Sequence, residues 1–142
     1  MTAGWRTTTA IAALAGIYFC VGKFGLSLAY IHASASAVWP PSGIAFAALL
    51  LRGYQLWPGI FLGAFLVNIT TQGSLATTLA IAAGNTLEAL LGAWAVNRFA
   101  NGAQAFDRAR NIFKFILLAP ILSTVVSASI GLTSLTLGGF AP

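Results

Sequence analysis

A chain of 142 residues in which 58% are hydrophobic and only 6% charged is not an ordinary soluble domain, where about a quarter of residues carry charge. Its net charge of +5 suggests nucleic acid at first sight. The cations Arg6, Lys23, Arg52, Arg98, Arg108, Arg110 and Lys114 lie between apolar runs, however, where membrane-orienting charges belong and not as a nucleic-acid patch. No charge falls between Arg52 and Glu88 or after Lys114, so a lipid bilayer is the expected solvent and partner. Cys20 is the sole cysteine. It excludes an intrachain disulfide framework and a multi-cysteine metal site, and its place in an apolar run predicts a small buried core residue.

In chain order, the first predicted span runs from about Thr8 to Tyr30, ~35 Å as a helix and enough to cross a bilayer with some tilt. Arg6 and the small residues Ala33-Ser34-Ala35 also fit a cleaved signal peptide. Lys23 interrupts the run and further spans follow at once, which favours an uncleaved first span. After a linker over 31–36, the stretch Ala37 to Leu51 opens with Trp39-Pro40-Pro41-Ser42-Gly43. The two prolines forbid a regular helix before Pro41 and place it near the first helical turn. Arg52-Gly53-Tyr54-Gln55 is a polar break, and Trp57-Pro58-Gly59 starts a run that ends near Asn68 to Thr71. Both runs are short, and three arrangements fit: two short spans, one kinked helix or a re-entrant pair. A long helix is predicted from about Leu75 to Phe99, broken by Asn101-Gly102. The final run covers about Ile112 to Leu137, with Pro120 as a kink.

Arg98, Arg108, Arg110 and Lys114 cluster in one short loop, which the positive-inside rule assigns to the cytoplasm. Counting two spans between Ala37 and Thr71 puts Arg6 and Arg52 on the same side. The predicted fold is therefore an all-α, polytopic transmembrane bundle of about five spans, two of them short, with a cytoplasmic N-terminus. The chain reads as one domain over residues 1–142. It closes on Phe140-Ala141-Pro142 just after a helix break, as an incomplete bundle without a soluble output domain would.

Glu88 is the most informative residue. It lies near the middle of an apolar span, where an ionised carboxylate costs several kcal/mol unless it is paired or faces a wet cavity. Asn85 shares its helix face one turn earlier, and Gly84 and Gly92 near that face allow close approach of another helix. This reads either as a ligand or proton site or as a structural hydrogen bond between helices. Lys23 has two fates, pairing with Glu88 or snorkelling to the outer interface, and its nearness to the outer end favours the second. His32 beside Trp39 titrates near neutrality, although a lone interfacial histidine is usually only solvated. Trp39, Tyr54 and Trp57 fit an interfacial aromatic belt. Gly59 and Gly63 form a GxxxG step for tight packing within the chain or between two copies. Asn68 is placed to cap its helix or to bond across it. No metal-ligand spacing, nucleophile–base pair or phosphate-cradling loop is present. Neither a cofactor nor catalysis by this chain alone is expected.

Phe24-Gly25-Leu26-Ser27-Leu28-Ala29, Val38-Trp39-Pro40-Pro41-Ser42-Gly43-Ile44-Ala45, Leu56-Trp57-Pro58-Gly59-Ile60-Phe61-Leu62-Gly63-Ala64-Phe65, Asn68 and Gly84-Asn85-Thr86-Leu87-Glu88-Ala89 follow in this order. Together they resemble the bacterial membrane-associated sensor domain of the first type, in the MASE family. The resemblance implies a bacterial inner-membrane input domain that regulates a cytoplasmic histidine kinase or diguanylate cyclase. Family members usually carry about eight spans and then that output domain, whereas this sequence shows about five and none. The expected responsive core is Glu88, Asn85 and the helix start at Trp39, Pro40, Pro41 and Gly43, with Trp57, Asn68 and Lys23 as further candidates. Two other classes compete. Short helices broken by Pro and Gly also line transporter sites, and the chain would equally serve as a plain membrane anchor.

Overall fold

The computed structural model describes residues 2–28, 39–71, 74–117, 121 and 123–139. All regular structure among them is helical: α1 (Thr2–Ser27), α2 (Pro40–Arg52), α3 (Trp57–Ile69), α4 (Leu75–Phe99), α5 (Ala109–Ile116) and α6 (Ser123–Leu137). Short 3-10 turns at Tyr54–Leu56 and Gly102–Asp107 precede α3 and α5.

The helix limits follow local chemistry. Pro40 and Pro41 open α2 and Pro58 opens α3, because proline supplies helical φ where an N–H has no intrahelical partner. Gly53, at φ 93°, separates the two, a backbone angle that costs glycine little. Of the three arrangements open to this stretch, a single kinked helix is therefore excluded. The Ser74 hydroxyl accepts from the Thr77 amide at 3.1 Å and caps α4. Asn101, at φ 67°, and Gly102 end the α4 region. The last apolar run, expected as one kinked helix, carries α5 and α6, and the described residues between them, Leu117 and Ile121, are π-helical. Pro120 itself lies outside the described residues, as does His32.

Contacts between helices fix their directions. Along α3, Gly59 meets Ile11 and Leu14, Gly63 meets Ala15 and Tyr18, and Val67 meets Gly22 of α1, so α1 and α3 run parallel. Trp39 and Pro40 touch Gly25 near the end of α1, while Arg52 shares a cleft with Trp5, Arg6 and Thr9, so α2 runs back along α1. Helix α4 returns against α3, with the Asn97 amide donating to the Tyr54 hydroxyl at 2.9 Å. Helix α6 is antiparallel to α4: Thr124 lies by Glu88, Ser127 by Asn85 and Ile130 by Gly84. Helices α2 and α3 each pack on both α1 and α4, and α6 adds to the outside of α4. Six of the seven cations are carried to one end: Arg6 and Arg52 on adjoining helices, Arg98 in the last turn of α4, and Arg108, Arg110 and Lys114 beyond it.

The polarity is inverted relative to a soluble bundle. On α4 the buried face carries Thr78, Asn85, Thr86 and Glu88 among alanines and glycines, while Leu79, Leu87, Leu91 and Trp94 face outward. Trp94 is 54% exposed and Trp5 79%. Apolar side chains outside and small or polar ones inside suit helices packed in lipid. Two helices, α1 over Gly4–Ser27 and α4, are long and apolar enough to cross a membrane. Cys20 is exposed, contrary to the expected core position. The buried stripe of α1 runs through Leu14, Ala15, Tyr18 and Gly22, and Cys20 points away from it.

Candidate functional site: a shared carboxylate beside an apolar cavity

Glu88 sits near the middle of α4 and is 4% exposed. Its Oε1 accepts from the Ser42 hydroxyl of α2 at 3.1 Å and from the Thr124 hydroxyl of α6 at 3.0 Å. One oxygen atom thus joins three helices. One turn earlier on the same face, Asn85 is 9% exposed and its Oδ1 accepts from Ser127 of α6 at 3.1 Å. The i, i+3 spacing of Asn85 and Glu88 meets that of Ser127 and Thr124 on the antiparallel neighbour, as helical periodicity requires. Gly84 keeps the approach close, since a Cβ there would lie 3.2 Å from Ile130 Cγ2. Of the two readings of Glu88, the inter-helix hydrogen bond is present.

The second oxygen, Oε2, accepts no hydrogen bond among the described residues. The Glu88 side chain lines a cavity of about 370 Å3 whose other polar residues are Ser42 and Thr124. Phe46 and Leu50 of α2, Phe115 of α5 and Phe106 close the apolar part. Ser42, Gly43, Phe46, Ala47 and Leu50 form one face of α2 along its length.

Tyr18, 1% exposed, stands within electrostatic reach of Glu88 and hydrogen-bonds with Trp39. Indole is only a donor, so Trp39 gives and the Tyr18 oxygen receives. Trp39 is half-buried and lies against Gly25. Pro40 packs on the same glycine, and Pro41 is buried. Glu88, Asn85, Trp39, Pro40, Pro41 and Gly43 thus belong to one connected region, by direct bonds, by packing or as cavity lining.

Three candidates lie elsewhere. Lys23 does not pair with Glu88: its Nζ donates to the Thr70 carbonyl at 2.9 Å and to the Thr71 hydroxyl at 3.1 Å, capping the end of α3. Among the described residues, the Asn68 side chain bonds only back along its own helix. Its amide donates to the Ala64 carbonyl one turn back, at 2.8 Å. Trp57 is 47% exposed at the opposite end of α3, with Tyr54 nearby, as an interfacial belt would place them. The Gly59–Gly63 step is used within the chain, against α1.

Ser42, Thr124, Ser127 and Tyr18 were not singled out as site residues by sequence reasoning. The signal for Thr124 and Ser127 was their i, i+3 spacing on an otherwise apolar helix, complementary to Asn85 and Glu88.

At the cation-bearing end, Arg98, Arg108, Arg110 and Lys114 line a polar basin with Asp107. It is the site's boundary on that side, since Phe106 and Phe115 stack at 4.9 Å between centroids at the apolar end of the cavity.

The family model for MASE1 matches residues 10–142, nearly the whole chain. The chain belongs to the MASE1 family. MASE1 domains are membrane-associated sensor domains, so the apolar exterior and the resemblance read from the sequence blocks agree on a membrane location. No curated protein and no solved structure matches the chain. The Glu88 region lies within the MASE1 match, and all the residues that build it come from this one chain.

Proposed function

We propose that this chain is a non-catalytic sensory input domain in a bacterial inner membrane, regulating a cytoplasmic histidine kinase or diguanylate cyclase. The observation that carries the reading is the single carboxylate oxygen shared by α2 and α6. A buried polar joint of this kind has few alternative arrangements, each with different helix positions. A stimulus that competes for the Ser42 or Thr124 hydroxyl shifts α2 or α6 against α4. MASE1 membership supports the sensory role. The alternating helix directions and the collection of six cations at one end support about five crossings with that end, and the N-terminus, in the cytoplasm.

The reading is tested by cyclase output from a receptor carrying this domain, with Glu88→Gln and Trp39→Ala. A changed response in either variant, at wild-type membrane levels, is expected. An unchanged response in both removes the proposed core. Retained regulation after replacing the domain by an unrelated span would leave only an anchor.

A further inference from the structure

Glu88 uses one of its two oxygens for the protein. Its side chain, with Ser42 and Thr124, supplies the polar part of the wall of the apolar cavity. A carboxyl group at the floor of an apolar cavity gains free energy when a hydrogen-bond donor reaches it. The cavity, about 370 Å3, is within the range that holds small organic ligands. Its walls offer contact surface of one kind: Phe46 and Leu50 on one side, Phe115 and Phe106 on the other. Gly43 and Ala47, on the α2 side, are exposed, so the cavity opens sideways, where lipid-dissolved molecules arrive without crossing water. A Cβ at Gly43 would meet nothing within 4 Å, so the space beside the polar floor is open.

We propose that this cavity binds a small apolar molecule carrying one hydrogen-bond-donating head group, with the head on the Glu88 carboxyl and the body between α2 and Phe115. A lipid acyl chain fits the walls but brings no donor to the carboxyl. A soluble polar metabolite satisfies the carboxyl but not the walls. The combination selects a molecule that partitions into the bilayer and has a donor at one end. The inference deepens the sensory reading by naming a ligand class for the same region.

The test uses the purified 142-residue chain in lipid nanodiscs and a diazirine-bearing 4-phenylbutan-1-ol as photoprobe, with crosslinks located by mass spectrometry. Crosslinks are expected on Phe46, Leu50 and Phe115. Unmodified 4-phenylbutan-1-ol should compete at least about tenfold better than n-butylbenzene, which has the same body and no donor, since a hydrogen bond to a charged or buried acceptor is worth about one decade or more. Glu88→Leu should abolish that preference. Ala47→Trp fills the opening without touching the polar joint, and should block crosslinking while the chain stays folded. Equal competition by the two compounds, or crosslinks spread over lipid-facing Trp94 and Leu132, would overturn the proposal. Cyclase output that ignores 4-phenylbutan-1-ol while specific crosslinking persists would instead refute the sensory reading and leave the binding site standing.

Discussion

Replacing Gly63 with alanine should destabilise the bundle even though alanine is the better helix former. A Cβ at this position would lie 2.6 Å from Tyr18 Cβ, 3.0 Å from Tyr18 Cγ and 3.0 Å from the Ala15 carbonyl oxygen. Carbon atoms prefer about 3.5–4.0 Å, so α1 and α3 must part locally by ~1 Å, and neighbouring contacts weaken with them. Overpacking of this size costs about 1–3 kcal/mol. The propensity gain of up to ~1 kcal/mol must be removed from the comparison. Gly16→Ala does this, because a Cβ there meets nothing within 4 Å and the gain is common to both. The two variants should differ by about 1–3 kcal/mol in reversible unfolding followed by tryptophan fluorescence in mixed micelles. Equal stabilities would refute the close parallel pairing of α1 with α3. The displacement also moves Tyr18, so Gly63→Ala should alter the Trp39 environment as seen in the same emission spectra, whereas Gly16→Ala should not.

Ser42→Ala and Thr124→Val each remove a donor from one carboxyl oxygen and should cost about 1–3 kcal/mol. A double-mutant cycle should give a coupling of at least ~0.5 kcal/mol, because the two share that atom; strict additivity would separate them. Lys23→Met should loosen the end of α3, seen as faster amide exchange at Thr70 and Thr71, and leave receptor output unchanged; loss of output would reinstate a link to Glu88. Cysteines placed at Arg52 and Arg108 should both be labelled by an impermeant maleimide only from the cytoplasmic side, and labelling from opposite sides would break the five-crossing topology.

Much of the fold was legible because covalent chemistry dictates it locally. The limits of α4 at Leu75 and Phe99 followed from Ser74 and Asn101-Gly102, and the start of α2 from Pro40-Pro41. The π-helical residues Leu117 and Ile121 between α5 and α6 were less so, since a proline signals an interruption of the regular α-helix without saying what backbone form replaces it. The importance of Glu88 and Asn85 was legible from the cost of polar groups in lipid. Their partners were not, because Ser and Thr on α6 and Ser42 after the prolines are common helix residues, and the antiparallel register that aligns them is a tertiary fact. Lys23 illustrates the opposite failure. Depth along the axis allowed a pair with Glu88, but the parallel packing of α1 on α3 puts the Thr70 carbonyl and the Thr71 hydroxyl at the end of α3 within easier reach. Cys20 was misplaced because an apolar run has no marked inside in a membrane helix, where both faces are hydrophobic.

Glu88 is the only glutamate in the chain, so 13Cδ-glutamate labelling gives one carboxyl signal in bilayers. That signal should shift on Ser42→Ala and again on Thr124→Val, and stay in place on Lys23→Met. A signal that ignores both hydroxyl deletions, or follows Lys23, would contradict a carboxylate joint between α2, α4 and α6.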